Sequence, residues 1–335
     1  MKNNTYIIAE IAQAHEGSLG IAHSYIDALA TTGVDAVKFQ THIAAAESSE
    51  LEQFRVNFSY EDKTRYDYWR RMEFTPEQWQ GLKIHCEEKG MEFISSPFSI
   101  AAVELLESLD VKKYKIGSGE IANWLMLDKI SKTGKQIILS SGMSDWQELD
   151  ETVRFIKPVE GQLSIMQCTT AYPTQPEQWG LTMIPALKER YKVPVGFSDH
   201  SATITSAIAA VAMGAELLEF HVVFHPEMFG PDTKASLTIE QTKQLVESVR
   251  MLDRSLQVTY TKEEVASYQH LRVMFGKSLT TKREVFAGET VVIDDLESTK
   301  PGEKGIAAKD FEKIIGKHWK QDLPPRHFIQ PEHIA

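Results

Sequence analysis

The sequence contains few cysteines and no long apolar run. Only two of its 335 residues are cysteine, Cys86 and Cys168, which excludes a disulfide framework and is typical of a reducing cytoplasm. No window approaches the roughly 18 apolar residues that a membrane-spanning helix needs. The opening MKNNTYIIAEIAQAHEG becomes polar too soon for a signal peptide. We therefore expect a cytoplasmic protein without a membrane segment.

The sequence also lacks any dense stretch of lysine and arginine. The formal net charge is -11, whereas a protein that binds nucleic acid normally carries a basic patch or stripe. We therefore expect no nucleic-acid partner. A small anionic substrate stays possible, because a local group of basic side chains and backbone N–H groups can hold it inside an acidic shell.

Short apolar runs recur eight times between amphipathic stretches that have helix-capping residues. Each run is nearly continuous in apolar residues, which is typical of strands buried on both faces. This alternation predicts a parallel TIM (β/α)8 barrel over residues 1–256, with a doubly wound open sheet as the alternative. The runs begin at Tyr6, Ala36, Glu92, Tyr114, Gln136, Leu163, Val193 and Glu216.

The pattern changes beyond the predicted barrel. Residues 257–274 are polar and helix-like, and we interpret them as a linker. Residues 275–335 contain short strand-like segments and turns, which predict a small β-rich domain.

Polar and ionisable residues are concentrated where the predicted strands end, which is where TIM barrels place their active sites. Two histidines at the ends of adjacent strands could bind one divalent ion, with Glu10 or water completing the shell. Two lysines with serines in glycine-containing turns could hold a phosphate. The alternatives are that Lys38 and Lys115 only pair with Glu10 and Glu120 inside the barrel, and that His221 is a core histidine. The residues are Glu10, Lys38, Gln40, Ser95, Ser96, Lys115, Ser118, Glu120, Ser140, Ser141, Thr169, Thr170, Tyr172, Ser198, His200, Glu219 and His221.

The motifs along the chain resemble those of the N-acetylneuraminate (sialic acid) synthase family, which includes legionaminic and pseudaminic acid synthases and spore-coat polysaccharide synthases. The C-terminal GKSL, AGE and LESTKPGEKGI resemble the antifreeze-like (SAF) domain of these enzymes. The barrel motifs are AEIAQAHEGSL, VKFQTH, FISSPF, YKIGSGE, LSSGM, CTTAYPT, GFSDHS, LEFH and GPD.

This resemblance implies a transferase that condenses phosphoenolpyruvate with a sugar aldehyde, giving a 3-deoxy-2-keto acid and phosphate. It implies a divalent ion, Mn²⁺ or Mg²⁺, on His200 and His221, with Glu10 near the metal and the aldehyde. The catalytic residues it implies are Glu10, Lys38, Lys115 and Glu120. It also implies a domain-swapped homodimer. The implied phosphoenolpyruvate contacts are Lys38, Ser96, Lys115, Ser118, Ser140 and Ser198, and the implied acceptor contacts are Gln40, Glu120, Tyr172, Asp232 and Lys300.

Four positions depart from the family pattern, and we expect them to bear on the acceptor. Ala14 and Thr170 replace asparagine, and Phe220 replaces a basic residue. Lys300 replaces an arginine that reaches across the dimer to the acceptor, and lysine lacks the planar two-pronged geometry of arginine. These departures favour an acceptor other than N-acetylmannosamine, from a surface or spore-coat polysaccharide pathway.

Two alternatives to this function remain. A synthase of the heptulosonate- or octulosonate-phosphate type would need a second basic site for a phosphosugar and does not usually carry a SAF-like domain. A non-catalytic sugar-binding protein would not need the metal-binding and lysine residues together.

Overall fold

Eight parallel strands form the first part of the structure, a computed structural model that describes residues 4–56, 58–158, 161–263 and 265–335. The first strand pairs with both the second and the eighth, so the sheet closes into a barrel. Each strand begins within two residues of the start of a predicted apolar run, and the predicted TIM barrel is confirmed. The strands are β1 (Tyr6–Glu10), β2 (Ala36–Thr41), β3 (Glu92–Pro97), β4 (Lys113–Ile116), β5 (Gln136–Ser140), β6 (Leu163–Cys168), β7 (Val195–Asp199) and β8 (Leu217–Val223).

Helices surround the barrel, and several begin at the capping residues that the sequence supplies. Thr75 starts the fourth helix with a capping box to Gln78, and Asp145 starts the seventh with a box to Glu148. Within the described ranges, none of the helices is long and apolar enough to cross a membrane. They are α1 (Leu19–Ala30), α2 (Ala44–Glu47), α3 (Arg65–Met72), α4 (Pro76–Glu88), α5 (Ile100–Ser108), α6 (Trp124–Ser131), α7 (Trp146–Ile156), α8 (Met183–Tyr191), α9 (Ile204–Ala212) and α10 (Ile239–Leu256), with a short strand β9 (Leu237–Thr238) before α10.

Apolar side chains fill the interior of the barrel. They come from β1, β2, β3, β5, β6 and β8 and form a cluster separate from the larger core between strands and helices. A packed layer of this kind makes the barrel a core rather than a pore, and it closes the bottom of any cavity above it. Its members are Ile8, Ala36, Ile94, Ile138, Met166 and Leu217.

Residues 259–335 form a second unit with its own core, while residues 1–258 form the first. The second unit contains α11 (Gln269–Phe275) and the antiparallel strands β10 (Ser278–Thr281) and β11 (Leu296–Thr299). Most of the stretch that we interpreted as a linker therefore belongs to this unit. Its assignment as a SAF domain stays a prediction.

Candidate active site

A layer of polar side chains lies directly above the apolar layer of the barrel. Side chains of a strand alternate between its two faces, so the residue two positions after each interior side chain also points inward. Glu10 follows Ile8 in this way, and Lys38 follows Ala36. This layer forms the floor of a cavity of about 370 Å³. The floor residues are Glu10, Lys38, Ser96, Lys115, Ser140, Cys168, Ser198 and Glu219.

The site residues that the family resemblance implies within the barrel unit all line this cavity, whereas the strand-end residues Ser95, Ser141 and Thr169 do not. The sequence motifs therefore lie together in space, as expected for residues at the C-terminal ends of barrel strands. The predicted residues that line it are Glu10, Lys38, Gln40, Ser96, Lys115, Ser118, Glu120, Ser140, Tyr172, Ser198, His200, His221 and Asp232.

Two buried lysines share one carboxylate at the floor. Lys38 Nζ lies 2.6 Å from Glu10 Oε1 and 3.4 Å from Glu219 Oε1, and Lys115 Nζ lies 3.0 Å from the same oxygen of Glu219. The alternative that Lys115 pairs with Glu120 is not borne out, because Glu120 follows the end of β4 and accepts from Asn123. Glu219 Oε2 is buried and has no hydrogen-bond partner among the described residues.

Burial and neighbouring charges shift the pKa values of these groups in opposite directions. Burial alone raises the pKa of Glu10, but His221, Lys38 and Lys115 lower it well below the usual range for a glutamate. Burial alone lowers the pKa of Lys38, but Glu10 and Glu219 raise it above the usual value. Both side chains are therefore charged at neutral pH, and they neutralise each other.

Serine hydroxyls surround the lysines. Lys115 Nζ donates to Ser140 Oγ at 2.8 Å, and Lys38 Nζ donates to Ser96 Oγ at 3.3 Å. Ser118 Oγ accepts from the N–H of Gly142 at 3.1 Å, and Ser198 Oγ donates to Glu219 at 3.2 Å. Ammonium groups, hydroxyls and glycine turns together provide the donors that a small carboxylate or phosphate requires.

The two histidines lie next to each other at one side of the floor. Their ring centroids are 5.4 Å apart, and His221 Nε2 lies 3.3 Å from Glu10 Oε2. His200 Nδ1 contacts the carbonyl of Thr169 at 3.0 Å, which leaves Nε2 available as a donor to a metal. Burial alone lowers the pKa of His200, but Cys168 and the Thr169 carbonyl raise it to about 9.

This arrangement fits a divalent ion at an open site. The imidazole nitrogens suit Zn²⁺ and other transition-metal ions, and the carboxylate oxygen suits Mn²⁺ or Mg²⁺. Within the part of the chain that the structure describes, no group of three or more His, Cys, Asp and Glu side chains forms a ready ligand set. A metal here would therefore take substrate or water as further ligands.

The outer wall of the cavity contains residues that we did not predict. Arg55 Nη2 contacts Asp232 Oδ1 at 2.6 Å, and its guanidinium lies 4.2 Å from the ring centroid of Tyr172. His42 stacks between Trp69 and Phe98, with centroid distances of 3.9 and 4.4 Å. Arg55 and Trp69 belong to the polar stretch between β2 and α4, which has no strand periodicity to mark it as part of the site.

The positions that depart from the family pattern do not all face the cavity. Phe220 lies between two inward-facing residues of β8, so its side chain points outward and is buried in the core. Ala14 packs against the same core, and only Thr170 lines the cavity. Phe220 therefore cannot contact a ligand in this cavity directly, and Ala14 does not line it, while their bearing on the acceptor stays a prediction. Lys300 belongs to the second unit, where its Nζ lies 5.2 Å from the ring centroid of Phe275.

Comparison with known proteins identifies relatives over almost the whole chain. The chain is 34% identical to N-acetylneuraminate-9-phosphate synthase of Mus musculus over 94% of this chain and 89% of the relative. It is 31% identical to N,N'-diacetyllegionaminic acid synthase of Campylobacter jejuni over 95% of this chain and 98% of the relative.

Solved structures agree. The N-acetylneuraminic acid (sialic acid) synthetase of Leptospira borgpetersenii, solved with citrate, superimposes with a TM-score of 0.72 at 28% identity, covering 81% of this chain and 90% of that one. A heptulosonate-phosphate synthase of Thermotoga maritima, at 16% identity and a TM-score of 0.58, shares the fold alone. The model of the NeuB family matches residues 25–260. On these matches, the chain belongs to the NeuB family.

Proposed function

We propose that this chain condenses phosphoenolpyruvate with a sugar aldehyde, giving a 3-deoxy-2-keto acid of the nonulosonic type and inorganic phosphate. The observation that carries the proposal is the floor of the cavity. Two lysines, each with 3% side-chain exposure, converge there beside a ring of serine hydroxyls and two histidines. A binding protein for neutral sugars would have no use for buried ammonium groups at this position, because burying them is costly.

The floor residues account for binding of phosphoenolpyruvate. Lys38 and Lys115 can turn from their carboxylate partners to the carboxylate and phosphate of the substrate, where charge-assisted hydrogen bonds are strong. Ser96, Ser118, Ser140 and Ser198 supply further polar contacts. We assign these six residues to phosphoenolpyruvate.

The reaction then forms one carbon–carbon bond and breaks one carbon–oxygen bond. C3 of phosphoenolpyruvate bonds to the aldehyde carbon, and the aldehyde oxygen takes up a proton. Water adds at C2, and the bond from C2 to the phosphate oxygen breaks as the new C2 hydroxyl loses its proton. Glu10 contacts both Lys38 and His221, so we assign it to orienting the aldehyde between the lysines and the histidines.

We propose that His200 and His221 hold a divalent ion, Mn²⁺ or Mg²⁺. When bound, such an ion supplies Lewis acidity at the aldehyde oxygen. The Thr169 carbonyl orients the ring of His200, and Tyr172 stacks on that ring with a centroid distance of 4.2 Å. These contacts keep the His200 imidazole in place before any ligand arrives.

We assign the acceptor sugar to the outer part of the cavity, with Gln40, Glu120, Tyr172 and Asp232 as its contacts. Resemblance to the family further supports a cytoplasmic homodimer, in which the second unit of the partner chain brings Lys300 to the acceptor. Relatives named for legionaminic acid and spore-coat polysaccharide synthesis support a place in surface polysaccharide synthesis. Light scattering of the purified protein tests the dimer.

Release of phosphate from phosphoenolpyruvate tests the function directly. The assay contains Mn²⁺ and a panel of free aldoses, including N-acetylmannosamine and 6-deoxy diacetamido hexoses. We expect release with at least one acceptor and a loss of about 100-fold or more in His221→Ala. His225→Ala is the matched control, because His225 lies four residues away and is exposed. Sugar binding without phosphate release would instead favour the non-catalytic alternative.

A further inference from the structure

We propose that the acceptor sugar of this enzyme carries no phosphate, because the outer cavity is built to bind a neutral aldose. This inference rests on the proposed function and names its acceptor class. It follows from three features of the outer wall, namely its guanidinium groups, its excess of carboxylates and an unpartnered hydroxyl.

The two guanidinium groups at the outer wall are each bound to a carboxylate. Their side chains are more exposed than those of the floor lysines. The side chain of Arg55 is 39% exposed and that of Arg65 is 25% exposed, against 3% for both Lys38 and Lys115. Arg55 contacts Asp232 at 2.6 Å.

Arg65 Nε contacts Glu52 Oε1 at 2.9 Å. Glu52 is held in place from other sides, since its Oε2 accepts from Trp69 Nε1 at 3.1 Å and from the hydroxyl of Ser48. A phosphate arriving at this wall would have to displace a carboxylate that is already well bound to each guanidinium.

Carboxylates outnumber guanidinium groups at this wall. Glu47, Glu52, Glu120 and Asp232 line it, against Arg55 and Arg65. A further sign is that burial raises the pKa of Glu120, with the nearby charge of Glu47 acting in the same direction. These carboxylates would repel a second dianion bound at the wall, because burial reduces the screening of their charge by solvent.

Neutral groups make up the rest of the wall. Tyr68 is 1% exposed and lines the cavity, yet its hydroxyl has no hydrogen-bond partner within the described residues. Buried polar groups normally have partners, so this hydroxyl marks a position that a sugar hydroxyl or amide fills. Phe54, Phe58 and Trp69 line the cavity beside it and offer apolar faces to a sugar ring.

An acceptor without phosphate would distinguish this chain from some other members of its family. One relative at 34% identity is named as a 9-phosphate synthase, and another at 31% is named for a product without phosphate. One name includes a phosphate and the other does not, and the two identities are nearly equal, so overall identity does not decide between them. The charge of the outer wall does.

Binding of matched sugar pairs tests the proposal. N-acetylmannosamine, N-acetylglucosamine and arabinose are each titrated with and without a terminal phosphate, by calorimetry on the full chain. Phosphoenolpyruvate is present, and a chelator withholds metal so that no turnover occurs. We expect the free sugar of every pair that binds to have a Kd at least about tenfold lower than its phosphate ester. Tighter binding of a phosphate ester in any pair, or no binding in all three, would overturn the proposal.

Glu52→Gln provides the matched electrostatic test. Glutamine keeps the shape of Glu52 and one of its two acceptor oxygens but removes its charge, so the preference for the free sugar should fall by about threefold or more. Glu177→Gln is the control, because Glu177 is exposed and does not line the cavity. An unchanged preference in Glu52→Gln would contradict the electrostatic cause and the proposal with it. Absence of phosphate release in the separate turnover assay would count against the proposed function, while the binding comparison would still decide the acceptor class.

Discussion

At the scale of single residues, Glu219 connects most of the floor. Its Oε1 contacts Lys38 Nζ, Lys115 Nζ and Ser198 Oγ, all within 3.4 Å. Because one oxygen serves three donors, Glu219 sets the separation of the two ammonium groups and offsets part of their charge. We therefore regard it as a positioning residue for phosphoenolpyruvate.

Glu219→Gln should separate substrate binding from turnover. Removing the carboxylate leaves two ammonium groups beside a single buried anion, Glu10, so the Kd for phosphoenolpyruvate should fall by about threefold to tenfold. Turnover should fall at least about tenfold, because Lys115 loses the group that orients it. Calorimetry and phosphate release measure the two effects. Glu216→Gln, which alters an exposed carboxylate paired with Lys188, should change neither, and weaker phosphoenolpyruvate binding in Glu219→Gln would contradict this role.

At the scale of elements, alternation along each strand links the core to the site. In seven strands, the inward-facing residue two positions before the floor residue is apolar or glycine. For example, Gly196 precedes Ser198 and Leu217 precedes Glu219. Gly196 belongs to this interior layer, because a Cβ there would lie 2.8 Å from both Leu217 Cβ and the Leu217 carbonyl oxygen, and 2.9 Å from Met166 Cε. Packing below the floor therefore limits β7 to glycine at this point.

Gly196→Ala should destabilise the barrel by about 1–3 kcal/mol, since a backbone oxygen cannot move aside as a flexible side chain does. Gly81→Ala in α4 is the matched control, because no atom lies within 4 Å of its added Cβ. That change should stabilise the protein by about 0.5–1 kcal/mol, as alanine is the better helix former. Urea unfolding of both variants measures the difference, and equal effects would contradict the packing argument.

The elements themselves were largely predictable, with one exception. All eight strands followed from apolar runs, because strands buried on both faces need nearly continuous apolar sequence. The stretch between β2 and α4 was not predicted to be structured, although it contains α2 and α3. It packs through aromatic contacts, such as that of Phe58 with Tyr68 at 5.1 Å, which have no fixed period in sequence.

At the scale of the whole molecule, the two units have separate cores. The core of the second unit contains Leu279, Val285 and Trp319, among others, and shares no member with the barrel core. The larger unit buries enough apolar surface to fold alone, whereas a chain of fewer than about 80 residues has little stability to spare.

A fragment of residues 1–258 should therefore unfold cooperatively, with a Tm within about 5 °C of the barrel transition in the full chain. A fragment of residues 259–335 should be much less stable. Calorimetry of both fragments and of the full chain provides the comparison. If the first fragment fails to fold, the division into independent cores is wrong.

The sequence by itself determined the barrel, the family and most of the residues at the floor. These depend on local patterns, since apolar runs, strand-end residues and family motifs are each read within a few neighbouring positions. Glu219, predicted as a strand-end residue, also follows from alternation, because it lies two positions before His221 on β8.

Only the tertiary structure decided which charges pair and which residues form the outer wall. Lys115 and Glu219 are 104 positions apart, and Arg55 and Asp232 are 177 apart, so no local pattern could join them. Charge balance in the cavity depends on these distant pairs, because Coulomb energy follows distance in space rather than in sequence.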